Sequence, residues 1–128
     1  METYDVRTFN QKMRTRTKSF AVEVYKTLKG IRWNDLNRII ARQLIRSSAS
    51  LAANYSSATR GRSEAEFYAK LCIVVEECDE VVFWLDFLTD LEIVDPVMIK
   101  DLKREAMELL NIFSTIRKKL KNKLAGVS

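Results

Sequence analysis

The chain has 128 residues, 22 Lys or Arg against 17 Asp or Glu, a net charge of +5 and no histidine. That length makes one domain, residues 1–128, able to bury a core without metals or disulfides. The missing histidine excludes Ser-His and Cys-His nucleophiles, His-ligated zinc, and the Arg–His pairing of all-helical ribonucleases of the HEPN type.

No apolar run approaches the roughly 18 residues that cross a bilayer, so no membrane is expected. The N-terminal stretch has no apolar h-region, and the cytoplasm is the expected compartment. Three glycines and one proline leave few helix breaks.

The first predicted helix covers about residues 9–30, with Phe9, Met13, Thr17, Phe20, Val24, Thr27, Leu28 and Ile31 on one stripe. Gly30 suits its C-terminal end. Asn34 or Asp35 caps a second helix over 35–59, striped by Leu36, Ile40, Leu44, Ser47, Leu51, Asn54 or Tyr55, and Ala58. Its many serines and alanines make it thin enough for a neighbour to approach closely.

Arg60-Gly61-Arg62 ends that helix, and Ser63-Glu64-Ala65-Glu66 reads as a capping box. The third helix, over 64–91, keeps the stripe Phe67, Leu71, Val74, Cys78, Val81, Leu85 and Leu88. Asp95 caps the fourth, over 96–123, with Pro96 in its first turn. Its stripe is Ile99, Leu102, Ala106, Leu109, Phe113, Ile116 and Leu120, and Leu124 to Ser128 read as a frayed tail. Four long helices with short connections predict an all-α fold, an antiparallel up-down four-helix bundle.

Cys72 and Cys78 are six apart on one helix, on different faces, and read as reduced, buried thiols. No metal site and no cofactor are expected. The third helix carries a second apolar row, Ile73, Phe83, Trp84 and Phe87, beyond what the core needs. Burial inside the monomer is one explanation; a subunit interface, where aromatics concentrate, is the other.

Charge is segregated. Residues 1–32, 33–62 and 96–128 carry net +5, +4 and +5, whereas residues 63–95 carry −9. The cations cluster as Lys12, Arg14, Arg16 and Lys18; as Arg38, Arg42 and Arg46 along one side of the second helix; as Arg60 and Arg62; and as Arg117, Lys118, Lys119, Lys121 and Lys123. These residues, Arg46 and Lys123 apart, form a candidate phosphate-binding surface for RNA or DNA. With no base-reading motif, such binding is sequence-tolerant. The plainer reading is a set of solvated faces, with the last cluster also matching a helix C-terminal dipole.

The acids permit another idea. Glu76-Glu77-x-x-Glu80 is similar to the E-E-x-x-E half of all-helical nucleotide pyrophosphohydrolases, which hold magnesium on carboxylates. A second half would come from Glu92-x-x-Asp95 at a turn, or Glu105-x-x-Glu108 on the fourth helix. The alternative is a solvated acidic face with one structural ion pair. Spacing sets Glu80 among Ile73, Trp84 and Phe87, where a part-buried carboxylate needs a partner; Arg46 fits, with Ser50 or Asn54 adding hydrogen bonds.

One run is more specific: Gln43-Leu44-x-Arg46-Ser47-x-x-Ser50-x-x-Ala53-Asn54-Tyr55-x-x-Ala58-x-Arg60-x-Arg62-Ser63-x-Ala65-Glu66-Phe67-x-x-Lys70-Leu71. It continues as Ile73-Val74-x-Glu76-Glu77-x-Asp79-Glu80-x-x-x-Trp84-Leu85. Together these resemble the four-helix-bundle proteins encoded in intervening sequences of bacterial 23S rRNA genes. The resemblance implies an antiparallel bundle, a ring-like homopentamer, a basic surface and a role with RNA.

The accessory variability proteins of diversity-generating retroelements are related to that family, but their reverse-transcriptase partner is not carried over. Many family members have Glu-Gly where this chain has Ser57-Ala58, so no role is assigned to that turn. The family brings no catalytic residues. The expectation is therefore a non-enzymatic homo-oligomer that binds RNA or DNA, with a protein–protein scaffold or the magnesium-dependent hydrolase as alternatives.

Overall fold

The computed structural model describes residues 2–126, with side chains from Val6 onward. It contains α1 (Glu2–Lys29), α2 (Asp35–Ala58), α3 (Glu64–Asp90) and α4 (Pro96–Leu124), with no strand among the described residues. Each helix packs on its chain neighbours, and α4 closes the ring against α1. This is the expected all-α, up-down four-helix bundle. Helix α1 starts at Glu2 rather than near residue 9, because nothing in residues 2–8 breaks a helix. Val127 and Ser128, part of the expected tail, lie outside the described residues.

The caps follow local chemistry. Asn34 Oδ1 accepts from Asn37 N–H at 2.7 Å, Ser63 Oγ from Glu66 N–H at 3.1 Å, and Asp95 Oδ1 from Val97 N–H at 2.9 Å. Each satisfies a first-turn amide that has no partner within its helix. Glu66 reaches back, but to the Arg62 N–H at 2.9 Å rather than to the cap's own amide. The Trp33 indole closes the end of α1 by donating to the Leu28 carbonyl at 2.8 Å. In the α2–α3 turn, a Cβ on Gly61 would stand 3.2 Å from the Ala58 carbonyl oxygen and 3.3 Å from Glu66 Cβ, so the turn closes tightly because position 61 has no side chain.

The seam between α2 and α3 is the most extensive, and that between α1 and α4 the least. Ser47, Ser48 and Ala58 are buried on α2, and side chains that small let helix axes approach. The core stripes of α3 and α4 are buried as expected from Leu71 to Leu88 and from Ile99 to Phe113. Tyr55 and Phe113 meet across the centre with ring centroids 5.0 Å apart. The Tyr55 hydroxyl donates to Asn10 Oδ1 at 3.0 Å, so one side chain ties α2 to both α1 and α4. Burial pushes the Tyr55 phenol up to about 12, partly offset by the Arg14 charge.

Leu36 corrects the expected α2 stripe: it is 74% exposed. Two successive steps of four residues turn it about 80° around the helix from Leu44. Ala41 takes the core position at that level.

Candidate nucleic-acid interface

The bundle has two ends. The start of α1, the end of α2, the α2–α3 turn and the end of α4 share one; the α1–α2 and α3–α4 turns share the other. Arg60, Arg62, Arg117, Lys118, Lys119 and Lys121 all fall at the first end. Lys12 and Arg14 lie in the same half, Lys18 near the middle, and Arg38 and Arg42 toward the opposite end. The folded chain thus unites the last two of the four cationic clusters, brings part of the first near them and separates the second.

The cations also differ in what holds them. Arg16 leaves the candidate surface. Its Nε and Nη2 each lie 2.7 Å from a Glu105 oxygen, and Nη2 is 2.7 Å from Glu108 Oε1. This fork joins α1 to α4. The Glu105 hydrogen bonds, with Glu108 adding to them, raise the guanidinium pKa above its ordinary value against the cost of burial. Arg14 donates to Thr59 Oγ1 at 3.0 Å, Arg60 to Ser56 Oγ at 3.1 Å, and Arg38 pairs with Asp35 at 3.0 Å within its own helix. The Arg60 and Arg38 contacts are exposed, and exposed contacts are weak and easily exchanged for a ligand, whereas the Arg14 contact is part-buried. Lys12, Lys18, Arg42, Arg62, Arg117, Lys118, Lys119 and Lys121 make no ion pair among the described residues.

The acid–base network pairs Arg46 with Glu80 as expected, but Glu77 and Ser47 join it in place of Ser50 or Asn54. Arg46 Nη1 and Nη2 lie 3.2 and 3.4 Å from the two Glu77 oxygens, and Nη2 lies 2.7 Å from Glu80 Oε1. Glu77, not Glu80, is the buried carboxylate, at 7% exposure, while Glu80 is half-exposed. Ser47 donates to Glu80 Oε1 at 3.2 Å and takes the place expected for Ser50 or Asn54. Those two instead bond to each other, Asn54 Nδ2 donating to the Ser50 carbonyl and hydroxyl at 2.9 and 3.0 Å. The reason is angular: Glu77 lies toward α2 at the core edge, whereas Glu80 sits one step further out. The Glu77 bonds raise the Arg46 pKa.

The same arginines bear on the metal idea. Glu77 and Glu80 are bound by Arg46, and Glu105 and Glu108 by Arg16, so both carboxylate sets already face a cation. No cluster of metal-ligating side chains occurs among the described residues. Cys72 and Cys78 are free thiols, and burial pushes Cys78 up to about 12.

Two apolar surfaces lie outside the core. On α3, Phe83 and Ile73 are exposed, while Trp84 and Phe87 are half-buried. Phe83 meets Trp84 edge-on at 4.9 Å and stacks on Phe87 at 5.6 Å. The Trp84 Nε1–H is buried and has no acceptor among the described residues. The second is a groove of about 650 Å³ between α1 and α2, where Val22 and Tyr25 border Ile45, Ala49, Ala52 and Ala53.

Sequence reasoning missed one feature, an open cleft of about 760 Å³ at the cationic end. Phe9, Phe67, Ile116 and Leu120 line it, with Val6 beside them, and Arg62, Lys119 and Lys123 stand at its edge. The stripes had counted four of those apolar residues as core. Phe9, Phe67 and Leu120 are the terminal stripe residues at the same end of their helices, with Ile116 one turn inside Leu120, and that coincidence of stripe ends is the signal that could have revealed the cleft. Lys123 pairs with Glu64 at 2.6 Å, and Glu64 is the one acidic side chain lining the cleft among the described residues.

Comparison with known proteins agrees with the fold. The family model described as 23S rRNA-intervening sequence protein matches residues 10–115. A crystal structure of a protein of unknown function from the S23 ribosomal protein family, from Bacteroides thetaiotaomicron, is similar with a TM-score of 0.71 and 27% identity. The match covers 82% of this chain and 97% of that one. No curated protein matches the chain. Among the described residues, no helix is long and apolar enough to cross a membrane.

Proposed function

The chain belongs to the 23S rRNA-intervening sequence protein family, and from that premise we propose that it is a non-enzymatic, homo-oligomeric, cytoplasmic bundle that binds RNA or DNA through phosphates. One observation carries the reading: Arg60 and Arg62 of the α2–α3 turn and Arg117, Lys118, Lys119 and Lys121 of α4 converge on one end from two parts of the chain, with no ion pair to any of them among the described residues. A polyanion is the partner that neutralises such a surface, and release of its counterions drives association. The ligand is contacted at its backbone, so the binding tolerates sequence.

Assembly into a ring, with five copies as the family resemblance implies, would cover the α3 aromatics and give the Trp84 indole a chance of an acceptor. Catalysis is not part of the proposal, because Arg46 binds Glu77 and Glu80, and Arg16 binds Glu105 and Glu108, the carboxylates on facing helices that would hold magnesium.

The test is a salt titration of RNA and DNA binding. The reading expects log affinity to fall linearly with log salt, with a slope near −0.9 per phosphate neutralised on duplex DNA. Absent or salt-insensitive binding overturns it. The exposed Phe83, Tyr25 and Val22 favour a second reading, a protein–protein scaffold. A native oligomer whose ultraviolet absorbance shows no nucleic acid, and which takes none up when offered, selects the scaffold.

A further inference from the structure

We infer that the end cleft binds an unpaired nucleotide of a single strand, its base among the apolar side chains and its flanking phosphates on the cationic edge. The inference rests on the phosphate-binding reading above and adds what the basic surface alone does not give, a preference for single strands. Three observations carry it. The cleft, about 760 Å³, lies within the roughly 300–1,000 Å³ of small-ligand sites. Its lining includes Phe9 and Phe67 from different helices, and an aromatic face is what a splayed base stacks on. Its lining includes Arg62 and Lys119, neither in an ion pair among the described residues, and Lys118 and Lys121 follow on the same helix end.

Asn10 adds a directional group. Its carbonyl oxygen is held by the Tyr55 hydroxyl at 3.0 Å, which leaves its amide N–H₂ as a donor in the cleft lining, without an acceptor among the described residues. A base edge presents acceptors to such a donor. Glu64 would repel a phosphate, but Lys123 already neutralises it. A paired duplex keeps its bases stacked and reaches only the cationic edge. An acidic amphipathic peptide matches the charge, but makes no particular use of two aromatic rings beside an amide donor.

The test compares a short labelled single strand with a blunt duplex of equal length, at fixed salt, on the full chain. The single strand is expected to bind more tightly. The double variant Phe9→Leu/Phe67→Leu keeps apolar volume but removes both ring faces. It is expected to weaken single-strand binding about tenfold and to leave duplex binding unchanged.

Photocrosslinking of a bromouracil-substituted strand to the unmodified protein is expected to map to Phe9, Phe67 or their neighbours; this arm stands if the variant fails to fold. Equal binding of strand and duplex, or crosslinks confined to other faces, overturns the cleft while leaving the phosphate reading intact. Tighter binding of an acidic amphipathic peptide overturns it in favour of a protein partner. No binding of any nucleic acid overturns both readings together.

Discussion

The middle of the bundle and its cationic end use the same residue type to opposite effect. In the middle, Arg16 and Arg46 each grip two carboxylates on a neighbouring helix. At the end, Arg62, Lys118, Lys119 and Lys121 face solvent without an ion pair among the described residues. A cation held by two acids has little attraction left for a phosphate, whereas a solvated one keeps its full charge. Charge per segment therefore overstates the binding surface wherever opposite charges meet across helices.

Four experiments would break or sharpen this contrast. The largest effect belongs to the centre: Phe113→Ala empties a fully buried site beside Tyr55 and is expected to cost about 3–5 kcal/mol of stability, read by urea denaturation. Its folded fraction should keep duplex binding through the cationic end as before. Alkaline unfolding comes next. Tyr55 and Cys78 are both raised to about 12 in the fold, from ordinary values of 10 and 9. Their folded-state pKa values lie above the unfolded ones, so stability is fully present below the unfolded values and is lost as pH rises through the folded ones. Melting temperature should hold to about pH 9 and fall steadily toward pH 12.

Glu77→Gln leaves Arg46 half-exposed with one carboxylate instead of two, and solvent screening limits the loss to about 1–2 kcal/mol in thermal denaturation. The combined variant Lys118→Ala/Lys119→Ala/Lys121→Ala should move stability least, by less than about 0.5 kcal/mol. The same variant should flatten the salt dependence of nucleic-acid binding by up to about three phosphate contacts. A salt slope that Glu77→Gln flattens as much as this triple variant would erase the distinction between middle and end.

Much of this was legible in the sequence because it is local. Ser63 and Asp95 announce their helices, the stripe from Leu71 to Leu88 is buried throughout, and the α3 aromatics stand outside it. What escaped depends on a neighbour's position. Arg16 looked available because its partner Glu105 is 89 residues away in the chain. Glu80 is part-buried and held by Arg46 as expected, but Glu77 escaped because periodicity gives an angle around one helix, not where the next axis lies, and Glu77 lies nearer that axis. The cleft escaped because a stripe carries no mark where the packing stops, and Phe9, at 39% exposure, stands beyond that point.

The uneven seams have a kinetic consequence. Helix α1 meets α4 along the least extensive seam, and the Arg16 fork is a principal tie across it. Helices α2 and α3 share the most extensive seam and a turn of a few residues. Opening α1 alone therefore exposes less surface than unzipping the hairpin. In amide hydrogen exchange, α1 forms the lower-energy unit and α2–α3 exchanges only with global unfolding. Cutting the Arg16 fork would lower the first of those energies and leave the second attached to the whole molecule.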